Sequence, residues 1–177
     1  QNITIQLDAT GNATITTADI DNGSFDNCGI TSMTLDSTSF DCSEVGANNV
    51  EFIVTDANGN ADTCTAIVTV EDIIPINAIC QNITVQLDAT GNAVIASSDI
   101  NNGSSDNCSS VTLSLSDTQF DCDDIGANTV VLFANDGNGN TSQCNATVTV
   151  ADTISPIASC QNITVQLDAT GTANITA

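Results

Sequence analysis

No lysine, arginine or histidine occurs in the 177 residues, against 22 aspartates and glutamates, so the formal charge is -22. No side chain can be cationic. Nucleic-acid ligands are excluded, because neutralising phosphates takes Lys or Arg, and an anionic membrane surface repels the chain. The missing histidine and lysine remove the bases that activate Ser or Cys nucleophiles, and nothing cationic is available to stabilise a thiolate. Tryptophan and tyrosine are absent and phenylalanine occurs only five times, so there is no aromatic platform of the kind that binding modules present to sugars. No apolar run is long enough to span a bilayer, no basic-then-apolar leader pattern is present, and no membrane insertion is expected. Charge of one sign on this scale loosens a compact domain unless cations from solution screen it, and mobile ions or bound Ca²⁺ are the available agents.

Present instead is a repeat. QNITIQLDATGNA at Gln1 returns as QNITVQLDATGNA at Gln81 and as QNITVQLDATG at Gln161, a period of 81 - 1 = 80 residues. About half the positions of the first two copies are identical. Within a copy, Ile3, Ile5 and Leu7 alternate with Asn2, Thr4 and Gln6, then turn residues Asp8 to Gly11 precede Ala13 and Ile15. A period of two reads as strand, turn, strand. The same pattern holds at Thr31, Met33 and Leu35, at Val50, Phe52 and Val54, and at Cys64, Ala66, Val68 and Val70. No apolar 3.6 period lasts three turns, and closely spaced Asp, Asn and Gly disfavour helices. The expectation is an all-β chain of tandem immunoglobulin-like β-sandwich repeats, with modules at 1–80 and 81–160 and a partial third copy, its first hairpin, at 161–177. Such a hairpin cannot bury a core alone, so the third copy is expected to be completed, by continuation of a long repeat chain in preference to strand addition from a neighbouring subunit.

Five short patterns recur in both copies: Asp26-Asn27-Cys28, Phe40…Gly46…Val50, Asp56…Gly59-Asn60, Cys64…Val68…Val70…Asp72, and a cysteine, Cys80, opening the next module. Their second copies are Asp106-Asn107-Cys108, Phe120…Gly126…Val130, Asp136…Gly139-Asn140, Cys144…Val148…Val150…Asp152, and Cys160. In these elements the chain resembles the hyalin repeat, an immunoglobulin-like module of extracellular adhesion and surface proteins. It departs from that family at Gln81 and Gln161, where proline commonly follows the cysteine, and in lacking Trp and Tyr. The resemblance implies an extracellular or cell-surface protein and a non-enzymatic one.

Eight cysteines without a histidine read as disulfides. Cys28 with Cys42 and Cys108 with Cys122 would close loops of equal length, since 42 - 28 and 122 - 108 are both 14. An immunoglobulin-like topology puts the start of the first strand at the same pole as the hairpin before the last, so Cys80 is expected to meet Cys144. By that offset Cys64 and Cys160 look for partners outside these 177 residues. The rival, Cys64 with Cys80, must join opposite poles of a strand running roughly 20 Å from Cys64 to Val70 at ~3.3 Å per residue.

Acidic and amide side chains recur in the turns: Asp19, Asp21, Asp26, Asp56, Asn58 and Asp72 in one copy, and Asp99, Asn101, Asp106, Asp136, Asn138 and Asp152 in the next. Hard oxygen donors at alternate positions suit Ca²⁺. The loop that holds Asp19, Asp21, Asn22 and Asp26, repeated as Asp99, Asn101, Asn102 and Asp106, is expected to gather with the hairpin at Asp136 to Asn140 and the linker residue Asp72 where one module meets the next. The same text also serves plain turns, with Asx side chains bonding the backbone. N-x-S/T acceptors for covalent glycans stand at Asn2, Asn22, Asn82, Asn102 and Asn162. Carboxylate pairs could in principle run hydrolysis, yet these acids recur in the turns of every module, which suits architecture. The function expected is a structural fibre or surface stalk whose partners are other copies of the same repeat. The alternative is an adhesin module with a glycan or protein ligand.

Overall fold

The computed structural model describes residues 1–108 and 110–175, so the last two positions of the third copy lie outside the described residues. The first module is built from β1 (Ile3–Gln6), β2 (Asn12–Thr14), the single-turn helix α1 (Thr17–Ile20), β3 (Ile30–Leu35), β4 (Ser39–Asp41), β5 (Gly46–Asp56) and β6 (Ala61–Glu71). The second repeats it as β7 (Ile83–Gln86), β8 (Ala93–Val94), α2 (Ser97–Ile100), β9 (Thr112–Leu115), β10 (Gln119–Phe120), β11 (Gly126–Asn135) and β12 (Thr141–Ala151). Each module packs a four-stranded sheet, β1-β6-β5-β3 or β7-β12-β11-β9, against a two-stranded one, β2-β4 or β8-β10. The chain is all-β in architecture, and its modules are β-sandwiches.

The alternation seen in the sequence is what fills the core. Val50 and Phe52 of β5, with Ala66, Val68 and Val70 of β6, face Phe40, Ile15, Leu7 and Ile20. The second core repeats this with Val130, Leu132, Ala146, Val148, Val150, Phe120, Ile95, Leu87 and Ile100. β1 lies parallel to β6, with Ile3 opposite Val68 and Ile5 opposite Val70. One residue before β1, Asn2 Oδ1 accepts the Ile67 amide, and Asn82 does the same for Thr147, so the amide satisfies a donor beyond the ladder.

Helix is present where composition disfavoured it, but only as single turns. Asp19 accepts the Thr16 amide across α1, and Asp99 accepts that of Ala96 across α2. A carboxylate at the third helical position satisfies an orphan amide. Burial of Ile20 and Ile100, both under 2% exposed, anchors the turns to the cores.

The linker after β6 does not belong to the first module. Asn77 bridges Ser105 and Cys80 bridges Asn101 in antiparallel fashion. The Asn102 amide reaches the Ile79 carbonyl, and the Ile79 amide donates to Ser104 Oγ. Residues 77–80 thus form an added edge on the second module, with Ile76 only 3% exposed. In the third copy, residues 161–175 keep the turn in which Asp168 accepts the Thr170 and Thr172 amides, while Ile163, Val165 and Leu167 are exposed and in no strand. The equivalent residues of β1 and β7 pair with the last strand of their own sandwich, and none of the described residues offers that strand to the third copy.

Candidate metal centre and module junction

Asp72 follows β6, Asp106 sits in the loop after α2, and Asp136 follows β11, so the chain brings them from three places in two modules together. One carboxylate oxygen from each lies within 4.8 Å of the others. Asp72 and Asp136 are buried, and Asp106 is half-buried. Backbone amides hold the outer oxygens. Asp72 Oδ1 accepts the Ile74 amide, Asp106 Oδ2 that of Cys108, and Asp136 Oδ1 those of Asn138, Gly139 and Asn140. Asn140 Nδ2 then ties Asp136 Oδ2 to the Asp72 carbonyl, at 2.7 and 3.1 Å. Burial pushes the Asp136 carboxyl up, but the Asn140 amide and the turn amides outweigh it and hold the group below the ordinary carboxylate range.

Asp72 Oδ2 and Asp106 Oδ1 are buried without a hydrogen-bond partner, as is Asn107 Oδ1 nearby in sequence. Buried carboxylate oxygens without donors are costly. At an effective dielectric of about 20, two unit charges 4.8 Å apart repel by roughly 3.5 kcal/mol. A chain lacking every cationic side chain cannot answer that internally. Oxygen donors alone, carboxylate and carbonyl, are the set a hard divalent cation takes.

The remaining candidate ligands are elsewhere. Asp19 and Asp99 serve their single-turn helices. Asp21 accepts from Ser24, and Asn101 accepts the Ser104 amide. Asn58 and Asn138 donate backbone amides to Asp56 and Asp136 while their side chains are exposed. Asp26 and Asp56 occupy, at the head of the first module, the places of Asp106 and Asp136. Asp152 occupies the place of Asp72 and is exposed. The five sequon asparagines, Asn2, Asn22, Asn82, Asn102 and Asn162, are all exposed.

Two disulfides flank the cluster. Cys80 bonds Cys144, their Cα atoms 5.8 Å apart, because parallel pairing of β7 with β12 sets both cysteines at one pole. Cys42 bonds Cys108 across the module boundary, their Cα atoms 5.1 Å apart. This corrects the local staples expected from loop length, Cys28 with Cys42 and Cys108 with Cys122. Cys28 precedes β3, whose first residue pairs with Asp56, whereas Cys42 precedes Gly46. The two cysteines therefore flank opposite ends of the eleven-residue β5, about 35 Å apart at ~3.3 Å per residue. Cys28, Cys64, Cys122 and Cys160 are exposed and unbonded.

Gly11 makes the junction possible. A side-chain carbon there would stand 2.5 Å from Cys42 Sγ and 3.2 Å from the Asn107 carbonyl, and its φ is +76°. Asn107 Nδ2 reaches the Asp8 carbonyl at 3.3 Å, so the D-N-C loop of one module sits on the first hairpin of the other. Disulfides of this kind form and persist in oxidising surroundings.

No family model matches the chain, and no curated protein does. Among solved structures it is similar to the protocadherin gammaB4 extracellular domain, at 12% identity and TM-score 0.36 over 85% of this chain and 31% of that one. It is also similar to mouse clustered PcdhgC3 EC1-3, at 11% identity and TM-score 0.36 over 85% and 66%. A third is human mucin-like protocadherin EC1-2, at 13% identity and TM-score 0.35 over 68% and 84%. The chain spans 31% of the first of these structures and 66% of the second. At these TM-scores the likeness carries no functional weight.

Proposed function

We propose that the chain is a structural segment of an extracellular fibre or surface stalk of hyalin-type repeats, and that Asp72, Asp106 and Asp136 hold Ca²⁺ at the junction between modules. The observation that carries this reading is the clustering of three carboxylates from two modules beside a disulfide joining the same modules. A cation there neutralises the repulsion and ties the linker to the second module, and the Cys42–Cys108 bond limits how far the junction can open. Stiffness at each junction is what a rod of repeats needs. Exposed sequons leave room for glycans along the surface. The absence of Trp and Tyr favours the stalk over a glycan-binding adhesin.

Titration calorimetry of the oxidised chain with Ca²⁺, together with small-angle scattering, tests this. The expected result is uptake at one site that needs Asp72, with a narrower distribution of inter-module angles in Ca²⁺ than in chelator. Scattering identical in both media, with no heat of binding, would reject the cation-stiffened stalk.

A further inference from the structure

Among the described residues of β7, β9, β11 and β12, the four-stranded sheet of the second module, none is charged, in a chain that carries 22 acids. Strand alternation sends Val130, Leu132, Ala146 and Val148 into the core and therefore turns Val131, Phe133, Asn145 and Thr147 outward. Across the sheet Phe133 pairs with Ser114 and Gln143, Val131 with Asn145, and Thr149 with Thr84. The outer face is thus a lawn of hydroxyls and amides with Val131 and Phe133 in its middle. Phe133 is 42% exposed and borders a groove of about 550 Å³ that Thr112, Asn135 and Thr141 also line.

The first module has the same strands in the same register without this neutrality. One period earlier, Val131 is Glu51 and Ala151 is Glu71, both glutamates exposed. Ser116, whose Oγ accepts the Val131 amide at 3.0 Å, is there Asp36, whose carboxylate accepts the Glu51 amide at 2.9 Å. The turn acids Asp8, Asp56 and Asp72, in contrast, return as Asp88, Asp136 and Asp152.

We propose that the outer face of β7-β12-β11-β9 is where two copies of the chain meet side by side, the second module of one against the second module of the other. Charge selects the occupant. Two copies that each carry -22 repel wherever their acids face one another, and on this sheet neither brings a charge to the contact. A basic partner gains nothing there over the acidic surface around it. Sheets packed face to face lie about 10 Å apart with their side chains interdigitated. The same patch serves both copies, so the contact is isologous and closes at a dimer. With strands about 4.8 Å apart and a rise of about 3.3 Å per residue, the face covers roughly 450 Å². Two faces then bury roughly 900 Å², close to the ~1,000 Å² at which specific interfaces begin. A single pair is therefore weak, and rods lying alongside one another strengthen it by engaging at many modules. The contact rests on the stalk reading only in its partner, another copy of the same repeat, and it needs no Ca²⁺.

The test is sedimentation equilibrium of the full chain with its exposed thiols blocked by a neutral alkylating agent, in chelator so that no divalent ion bridges acidic surfaces. Salt is set at about 0.1 M and about 1 M, where the screening length falls from about 10 Å to about 3 Å. The expected result is a reversible equilibrium between the 18.0 kDa monomer and its dimer, stronger at the higher salt. V131E puts an unpaired carboxylate in the middle of the contact and should weaken association by about tenfold or more in both salts. Its folding is not at stake, because the first module carries Glu51 at that register. E51V/E71A clears the first module's face and should carry assembly past the dimer, and a variant no larger than the native dimer would count against charge as the selector. A native chain that stays monomeric in both salts overturns the proposal and leaves the face to a partner of other chemistry. Association undiminished in V131E overturns it as well, by placing the contact elsewhere. Either failure in a chain that still takes up Ca²⁺ through Asp72 removes the lateral contact alone and leaves the junction reading standing.

Discussion

Asp72→Asn separates a cation site from a simple turn, because the two readings give opposite signs. Asn keeps an Oδ1 acceptor for the Ile74 amide, which Asp72 holds at 3.2 Å, so the local turn should survive. What changes is charge. Three carboxylates within 4.8 Å make three repulsive pairs of roughly 3.5 kcal/mol each at an effective dielectric of about 20, and the substitution removes two of them. After discounting for screening by solvent and salt, a gain of about 2 kcal/mol in chelator is expected. For a protein of this size that raises Tm by about 4–8 °C. In Ca²⁺ at 100 times its Kd, the native chain gains about 2.7 kcal/mol, and the variant, short of one ligand, should gain under about 1 kcal/mol. The variant is thus the more stable protein without Ca²⁺ and the less responsive one with it. Melts must be followed by far-UV circular dichroism or calorimetry, since there is no Trp or Tyr to report. Asp152→Asn, at the exposed equivalent, should change neither curve. A Tm lowered equally in both media, or an undiminished response to Ca²⁺, would refute the reasoning.

Digestion with an Asp- or Glu-specific protease under non-reducing conditions should recover Cys42–Cys108 and Cys80–Cys144 within one chain, and recovery of Cys28–Cys42 would contradict the junction. Reducing each bond, which closes a loop of 66 or 64 residues, should cost about 4 kcal/mol in the chain-entropy account, measured by denaturant melts. Gly11→Ala and Gly91→Ala share the same positive-φ strain, but only the first drives a carbon against Cys42 and the Asn107 carbonyl. G11A should therefore be the less stable by more than about 1 kcal/mol, and equal melting temperatures would count against the close approach. The Asn60 side chain and the turn amides hold the Asp56 carboxyl below its ordinary value, against the smaller effect of burial. A depressed folded value means stabilisation that is present above about pH 4 and is lost as pH falls through the folded value. The stability difference between native protein and Asp56→Asn should accordingly shrink from pH 6 to pH 2, and a constant difference would sink that account.

Much of the architecture is legible in the chain itself because it depends on local alternation. Ile3, Ile5 and Leu7, or Val68 and Val70, can bury one face only as strands, and the period of 80 residues requires two like sandwiches. The turn carboxylates are legible too, since Asp56 and Asp136 each bond amides two and four residues on, a geometry local sequence dictates. The single-turn helices escape a search for apolar periodicity, being too short to show one. They exist because Asp19 and Asp99 satisfy an amide and Ile20 and Ile100 find a core.

Cysteine pairing marks the boundary between the two kinds of information. Cys80 with Cys144 follows from topology, since parallel first and last strands share a pole. Cys42 with Cys108 does not, because equal spacing along the chain says nothing about which end of β5 each cysteine occupies or how one module seats on the next. The same holds for the acids: twelve candidate ligands recur with the repeat, and repetition alone ranks none above another. The linker's pairing with the second module brings Asp72 to Asp106 and Asp136, and contacts between residues distant in sequence are set by packing that no local pattern encodes.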